Sequence, residues 1–108
     1  GDNMAIQMSS ELLDGCVLGL LVHDDYYGYA LTQKIQESIS VSESTMYPVL
    51  RRLKKNDLLT TYDQPYQGRN RRYYKITAEG KRQLSVIQQE WQDFKVGVDK
   101  MLGDETNG

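Results

Sequence analysis

Ser42-Glu43-Ser44-Thr45-Met46-Tyr47-Pro48-Val49-Leu50-Arg51-Arg52-Leu53-Lys54-Lys55 reads as one helix with two unlike faces. Met46, Val49, Leu50 and Leu53 follow the i, i+3, i+4, i+7 spacing of an apolar face. Ser44, Tyr47, Arg51 and Lys55, spaced by 3, 4 and 4, fall on the other side, flanked by Glu43, Thr45, Pro48 and Arg52. Ser42 or Ser44 can cap the start. Under either choice Pro48 lies slightly past the first turn and removes one backbone hydrogen bond. Asn56-Asp57 ends the helix. One face suits a core. The other is small and polar at its N-terminus and basic further along, as a helix lying in a DNA major groove needs to be.

The elements on either side give this helix its context. Upstream, across the very short link Ser40-Val41-Ser42, a helix is predicted after Gly28, with Leu31, Ile35 and Ile39 as its buried stripe and Lys34 and Glu37 off it. Before that, Ser9-Ser10 can cap a first helix, with Glu11 in its first turn and Leu12, Leu13, Cys16, Val17, Leu20 and Leu21 at helical spacing. His23-Asp24-Asp25 breaks it. Downstream, Leu58 to Asp63 and Arg71 to Thr77 are rich in β-favouring Thr, Tyr and Ile and read as two strands, with Tyr74 and Ile76 facing inward. Between them, Gln64-Pro65-Tyr66-Gln67-Gly68-Arg69-Asn70 reads as the hairpin loop.

Thr77 then caps a long helix from Ala78 to Leu102. Its Leu84, Ile87, Trp91, Phe94, Val98 and Met101, spaced by 3, 4, 3, 4 and 3, form a heptad stripe. A helix of that length runs about 37 Å, whereas a core built from the preceding residues is about 25–30 Å across. The far end should therefore overhang its own domain, with an aromatic stripe that a monomer leaves wet. The predicted fold is mainly α with a small β-hairpin: a winged helix-turn-helix followed by a C-terminal dimerisation helix. The expected divisions are residues 1–8 as a tail, 9–77 as the DNA-binding domain, 78–102 as the dimerisation helix and 103–108 as a polar tail.

Charge is unevenly distributed. The chain of 108 residues has a formal net charge of −2, but Arg51 to Arg82 carries +7 and the remainder −9. A basic segment in an acidic chain fits a local polyanion-binding surface. Gly68-Arg69-Asn70-Arg71-Arg72 puts cations at the hairpin tip, where a wing meets the minor groove or backbone. No run of 18 apolar residues reads as a membrane span, and the start shows no basic stretch leading into an apolar one, which argues against a secretory signal. The single cysteine, Cys16, has no intrachain disulfide partner and sits on the apolar face of the first helix, so it reads as a buried, inert thiol in a cytoplasmic protein. His23 is the only histidine. No catalytic triad, metal cluster or phosphate-cradling loop is present in the pattern, so no enzyme activity, cofactor or metal is expected. A winged helix used only for protein–protein contact is the alternative, disfavoured by the basic third-helix face and wing.

Several segments together resemble the PadR family of bacterial repressors over nearly the whole chain: Tyr27-Gly28-Tyr29, the stretch Ser42 to Leu53, Gly68 to Tyr74, Ile76-Thr77-Ala78-Glu79-Gly80, and Val98-Asp99-Lys100. The resemblance implies a homodimer that represses transcription at an inverted-repeat operator in double-stranded DNA and is released by a small-molecule effector or stress. By position, Tyr29, Ser44, Thr45, Tyr47, Arg51, Arg69 and Arg71 match the family's DNA-facing sites; Lys55 and Asn70 join them from the helix face and the wing tip. The resemblance also implies dimer contacts between the last helix of one subunit and the first helix of the other, here Leu12, Leu13, Leu84, Ile87, Trp91, Phe94, Val98 and Met101. Gly15 and Gly19 fit close approach of another helix, for which the partner's last one is a candidate. Tyr26 to Tyr29 would seal the turn between helices. The multidrug-sensing branch has an indole one turn nearer Val98-Asp99-Lys100, where Lys95 stands here, so drug sandwiching does not carry over. The C-terminal part reads as a single helix, as in the shorter members, so the phenolic-acid effector class does not carry over either.

Overall fold

A computed structural model of the chain describes residues 6–103, so the tail readings for residues 1–5 and 104–108 lie outside it. The element order is α1 (Ser10–Leu21), β1 (Tyr26–Tyr27), α2 (Gly28–Gln36), α3 (Glu43–Lys55), β2 (Leu59–Tyr66), β3 (Arg69–Ile76) and α4 (Ala78–Leu102). The three strands form one antiparallel sheet in the order β1-β3-β2. This is the winged helix-turn-helix order with a long last helix.

The helix boundaries follow from local chemistry. Ser9 Oγ accepts the Leu12 N–H at 3.1 Å, and Thr77 Oγ1 accepts the Gly80 N–H at 2.9 Å, so both helix starts are capped as the sequence reading expects. Of the two candidate caps for α3, Ser42 is the one used: its Oγ accepts the Thr45 N–H at 3.2 Å. Helix α3 runs unbroken through Pro48. Its end is a Schellman turn: Leu58 N–H reaches the Leu53 carbonyl at 2.9 Å and Asp57 N–H the Lys54 carbonyl at 3.0 Å. Asp57 takes the left-handed conformation this requires, with φ of 62°. Helix α2 ends at Gln36, so Ile39 packs on the core from beyond the helix rather than as its last turn.

The core gathers Leu13, Val17, Leu18 and Leu21 from α1, Leu31 and Ile35 from α2, the apolar face of α3, Leu59 and Ile76 from the sheet, and Leu84 and Ile87 from α4. Helices α1 and α4 pack antiparallel at close range. A Cβ on Gly15 would stand 2.5 Å from Ile87 Cγ2, and one on Gly19 4.0 Å from Leu84 Cδ1. The close approach expected at these glycines is therefore made by the chain's own α4, not by a partner's helix. Glu11 and Glu90 meet one turn further along, and the hydrogen bond and repulsion between the two carboxyls raise the pKa of Glu90.

Two further expectations change. The seven-residue hairpin loop is a two-residue turn, Gln67-Gly68, both at positive φ (52° and 78°). That backbone matches the right-handed twist of the strands it joins. Strands β2 and β3 accordingly extend to Tyr66 and from Arg69, with Tyr66 opposite Arg69 and Pro65 opposite Asn70. Pro65 is accommodated because β2 is an edge strand. Tyr26 and Tyr27 do more than seal a turn: they form β1, opposite Tyr74 and Tyr73.

Strand alternation puts Tyr27, Tyr62 and Tyr73 on the sheet face away from the core. Tyr62 and Tyr73 stack with centroids 5.5 Å apart, and Tyr27 lies 5.9 Å from Tyr73. Tyr62 O–H donates to Asp25 Oδ2 at 2.6 Å, tying the hairpin to the segment before β1. That bond, helped by desolvation and the carboxylate's charge, pushes the Tyr62 pKa up to about 12.

Two outcomes test this packing. Gly80 sits where a Cβ would meet the Leu58 carbonyl oxygen head-on and Ile76 Cγ1 at 2.7 Å. Helix propensity alone makes Gly→Ala favourable by about 1 kcal/mol, but backbone cannot move aside here. Gly80→Ala is expected to destabilise by about 3 kcal/mol, read as a lower urea midpoint at unchanged slope; a raised midpoint would contradict the close crossing. For Tyr62, a pKa raised on folding means that its contribution is present below the unfolded value of about 10 and is lost as pH climbs toward the folded value. An ultraviolet tyrosinate titration should show one phenol ionising near 12, returning toward the ordinary value in Asp25→Asn; an unchanged curve in that variant would remove the bond.

Candidate nucleic-acid interface

Burial of Met46, Val49, Leu50 and Leu53, each 4% exposed or less, turns the opposite side of α3 outward. Ser44, Tyr47, Arg51 and Lys55 are all exposed there, as is Thr45. At the helix start the Ser42, Ser44 and Thr45 hydroxyls form a cluster, Ser42 Oγ standing 3.0 Å from both Ser44 Oγ and Thr45 Oγ1. Hydroxyls beside the free N–H groups of a helix N-terminus can donate to phosphate oxygens or base edges. Pro48 withholds the N–H that would bond the Ser44 carbonyl.

Arg52 is a different case from Arg51. Its Nη2 pairs with Asp14 Oδ1 of α1, and the pair is partly buried. Burial raises the Asp14 pKa, opposed by the Arg52 charge and hydrogen bond. Arg52 thus braces α3 against α1. Among the described residues, no salt-bridge partner stands against Arg51, Lys55 or Arg69, whereas Arg72 faces Asp63 at 3.5 Å.

Tyr29 lies in the first turn of α2, exposed, with its hydroxyl accepting from Gln33 Nε2 at 2.9 Å. Its ring is 6.4 Å from that of Tyr27. At the wing, Arg69 and Asn70 flank the turn and are exposed. Arg71 is not free at the tip: its guanidinium carbon lies 3.6 Å from the Tyr66 ring centroid and 4.0 Å from that of Tyr27. The structure therefore joins Tyr29, Tyr27, Arg71 and Tyr66 into one aromatic row. Tyr27 and Tyr66 were not among the sequence candidates. Period-two alternation could have found them, but only once the turn length, and with it the register, was known.

The expected dimer-contact residues divide into two groups. Leu13, Leu84 and Ile87 are buried in the chain's own core, and Leu12 is partly buried. For Leu13, Leu84 and Ile87 the assignment to a partner-facing surface is corrected accordingly, because α1 packs on Ile87 at Gly15 and on Leu84 at Gly19, and Leu13 belongs to the same core; Leu12 stays partly accessible. Beyond Ile87 no residue of α4 is buried. Trp91 is 41% exposed, Phe94 63%, Met101 81% and Leu102 75%, with Val98 half-buried. Trp91 and Phe94 rings lean on each other at 6.3 Å. Cys16, expected to be buried, is only partly buried and lines a shallow groove of about 320 Å³ with Gly19, Leu20, Lys34, Ile35, Glu37, Ser38 and Ile39. Partial burial raises its thiol pKa, which disfavours the reactive thiolate. Among the described residues no group of His, Cys, Asp and Glu is placed to hold a metal ion, and no helix is long and apolar enough to cross a membrane.

The same architecture is found in known proteins. A protein from Streptococcus mutans UA159, known from its crystal structure, is 36% identical and superposes with a TM-score of 0.84 over 92% of this chain and 93% of its own. A PadR family transcription regulator from hypervirulent Clostridium difficile R20291 is 32% identical, with a TM-score of 0.77 over 84% of this chain and 98% of that one. Bacillus subtilis PadR, solved in complex with operator DNA, is 26% identical with a TM-score of 0.64, over 68% of this chain and 44% of that longer one. The family model for the transcriptional regulator PadR-like family matches residues 17–86, which take in α1 from Val17, the helix-turn-helix, the wing and the first third of α4. With an exposed polar-basic α3 face, a cationic hairpin and this match over more than half its length, the chain belongs to the PadR-like family of transcriptional regulators and is not an enzyme.

Proposed function

We propose that this regulator is a cytoplasmic homodimer that represses transcription by seating α3 of each protomer in the major groove of an inverted-repeat operator. The observation that carries the reading is the rotation of α3: its entire apolar face is buried, which leaves Ser44, Tyr47, Arg51 and Lys55 exposed on the side that would face the groove. Ser44 and Thr45 would meet phosphate or base edges at the helix start. Tyr47 would donate its O–H to a phosphate, and Arg51 would reach a phosphate or a guanine edge. Tyr29 from α2, with Arg69 and Asn70 at the wing, would hold the flanking backbone. Operator DNA binding by the Bacillus subtilis relative supports the same use here.

The outer half of α4 supports the dimer. Trp91, Phe94, Val98, Met101 and Leu102 form an apolar surface that the described residues leave largely uncovered, and aromatic anchors of this type dominate protein interfaces. In this reading they pack on α1 of the second protomer near Leu12. Two α3 helices related by a two-fold axis would read half-sites about 34 Å apart, one turn of DNA. Release by a small molecule or stress signal completes the cycle in the manner of the family.

Selection of binding duplexes from random sequence, followed by sequencing, tests the whole reading: an inverted repeat with that spacing is expected, and no enrichment would sink it. With a selected duplex, Tyr47→Ala and Arg51→Ala should each weaken binding by about tenfold while leaving the unfolding midpoint unchanged. Unaltered affinity in both variants would move the recognition face elsewhere. In sedimentation, Trp91→Ala combined with Phe94→Ala should raise the dimer dissociation constant about 30-fold or more, the scale of an interface hot spot. A wild-type chain that is monomeric at micromolar concentration would refute the dimer.

A further inference from the structure

The sheet alternation places Arg71 of the central strand between residues of its two neighbours. Tyr27 belongs to β1 on one side and Tyr66 to β2 on the other. The guanidinium contacts both rings, at 4.0 and 3.6 Å from their centroids. A planar cation over aromatic faces is held by the ring quadrupoles, and Arg fills this role better than Lys because it is flat and weakly hydrated. The row continues through Tyr73 to Tyr62 and its bond to Asp25. Both ends of the contact have consequences. Tyr66 is the last residue before the wing turn, directly across from Arg69. Tyr27 is the residue immediately before α2, and its ring also leans on Tyr29.

We propose that the Tyr27–Arg71–Tyr66 stack is a brace that sets the position of the wing tip against the start of α2, so that Arg71, Tyr27 and Tyr66 are positioning residues for DNA binding and not contacts to DNA. The proposal rests on the DNA-binding reading above and revises one contact that the family resemblance implies, Arg71. A strand pair ending in a two-residue turn, with β2 at a sheet edge, has little else to hold its tip: Gln64, Pro65, Gln67, Gly68, Arg69 and Asn70 are all exposed. An Arg fixed between the two outer strands supplies a cross-sheet tie at that level. Arg69 and Asn70 then meet the backbone from a preset position, which lowers the ordering cost of binding. The edge N–H groups of a stacked guanidinium remain open to a phosphate, so a readout that counts phosphate contacts decides between brace and contact.

That readout is the salt dependence of affinity, measured on the full chain with one duplex recovered by selection from random sequence. Tyr66→Leu removes a ring and no charge. It is expected to weaken binding about 3- to 10-fold with an unchanged slope of log affinity against log salt, and Tyr66→Phe, which restores the ring, should recover the loss. Arg71→Ala should weaken binding to the same extent, again at unchanged slope, and the double variant should be no worse than either single one. Wild-type affinity in Tyr66→Leu overturns the brace. So does a slope reduced by about 0.9 in Arg71→Ala, the signature of one lost phosphate contact. A second measurement needs no DNA. In the free protein the Arg71 side-chain proton resonances should be shifted upfield by the two ring currents and move part of the way back in Tyr66→Leu; unshifted resonances overturn the brace by themselves. Should the wild type show no salt-dependent duplex binding, the DNA-binding reading falls, and the ring-current shift alone then decides the stack.

Discussion

Burial of Met46, Val49, Leu50 and Leu53 is the constraint from which the rest of the molecule's surface follows. Each side chain withdrawn from water stabilises the fold by about 1.5–3 kcal/mol, so turning α3 about its axis would forfeit several such terms together. The helix is also pinned at both ends, by the Ser42 cap and by the Schellman turn at Asp57 and Leu58. Arg52 adds a tie to Asp14 on α1. That pair is partly exposed and is worth about 1 kcal/mol or less, so it selects an orientation more than it holds the helix. With the rotation fixed, a face made of hydroxyls, a tyrosine, an arginine and a lysine has nowhere to go but outward.

Helix α4 solves two problems with one stripe. Up to Ile87 the stripe completes the monomer's core, and it can do so because Gly15 and Gly19 let α1 come close enough for Ile87 and Leu84 to fill the gap. After Ile87 the same heptad spacing continues, but among the described residues nothing buries it. The change from core to free surface therefore lies inside a single uninterrupted helix. In the dimer proposed above, a helix bound along its first third and exposed beyond it would carry the second protomer in a fixed relation to the DNA-binding head.

The wing follows a different logic, since little of it is buried. Its order comes from side chains on the outer face of the sheet: stacked tyrosines, the Asp25–Tyr62 bond and the guanidinium of Arg71 between Tyr27 and Tyr66. Polar and aromatic contacts of this kind are individually weak, so the wing is the less firmly fixed part of the interface. It also carries Arg69, Arg71 and Arg72 close together, and a cationic hairpin that meets a polyanion gains from being held in place beforehand.

Much of this was legible in the chain alone because helical periodicity is a local property. The apolar and polar faces of α3, the Ser9 and Thr77 caps, and the full extent of α4 can all be read from spacing within a few turns, and the family resemblance rests on the same segments. What sequence could not settle depends on partners distant in the chain. Leu84 and Ile87 carry the same heptad signal as Trp91 and Phe94, and only the approach of α1 separates core from free surface. Gly15 and Gly19 announce a close neighbour without saying which. A two-residue strand such as Tyr26–Tyr27 has no period to detect, and the wing register waited on positive φ at Gln67, a residue type that does not advertise a turn. Arg71 looked like one more tip cation until pairing of three strands set it between two rings. Local spacing determined which faces exist; long-range packing decided which of them the chain uses itself and which it leaves for something else to meet.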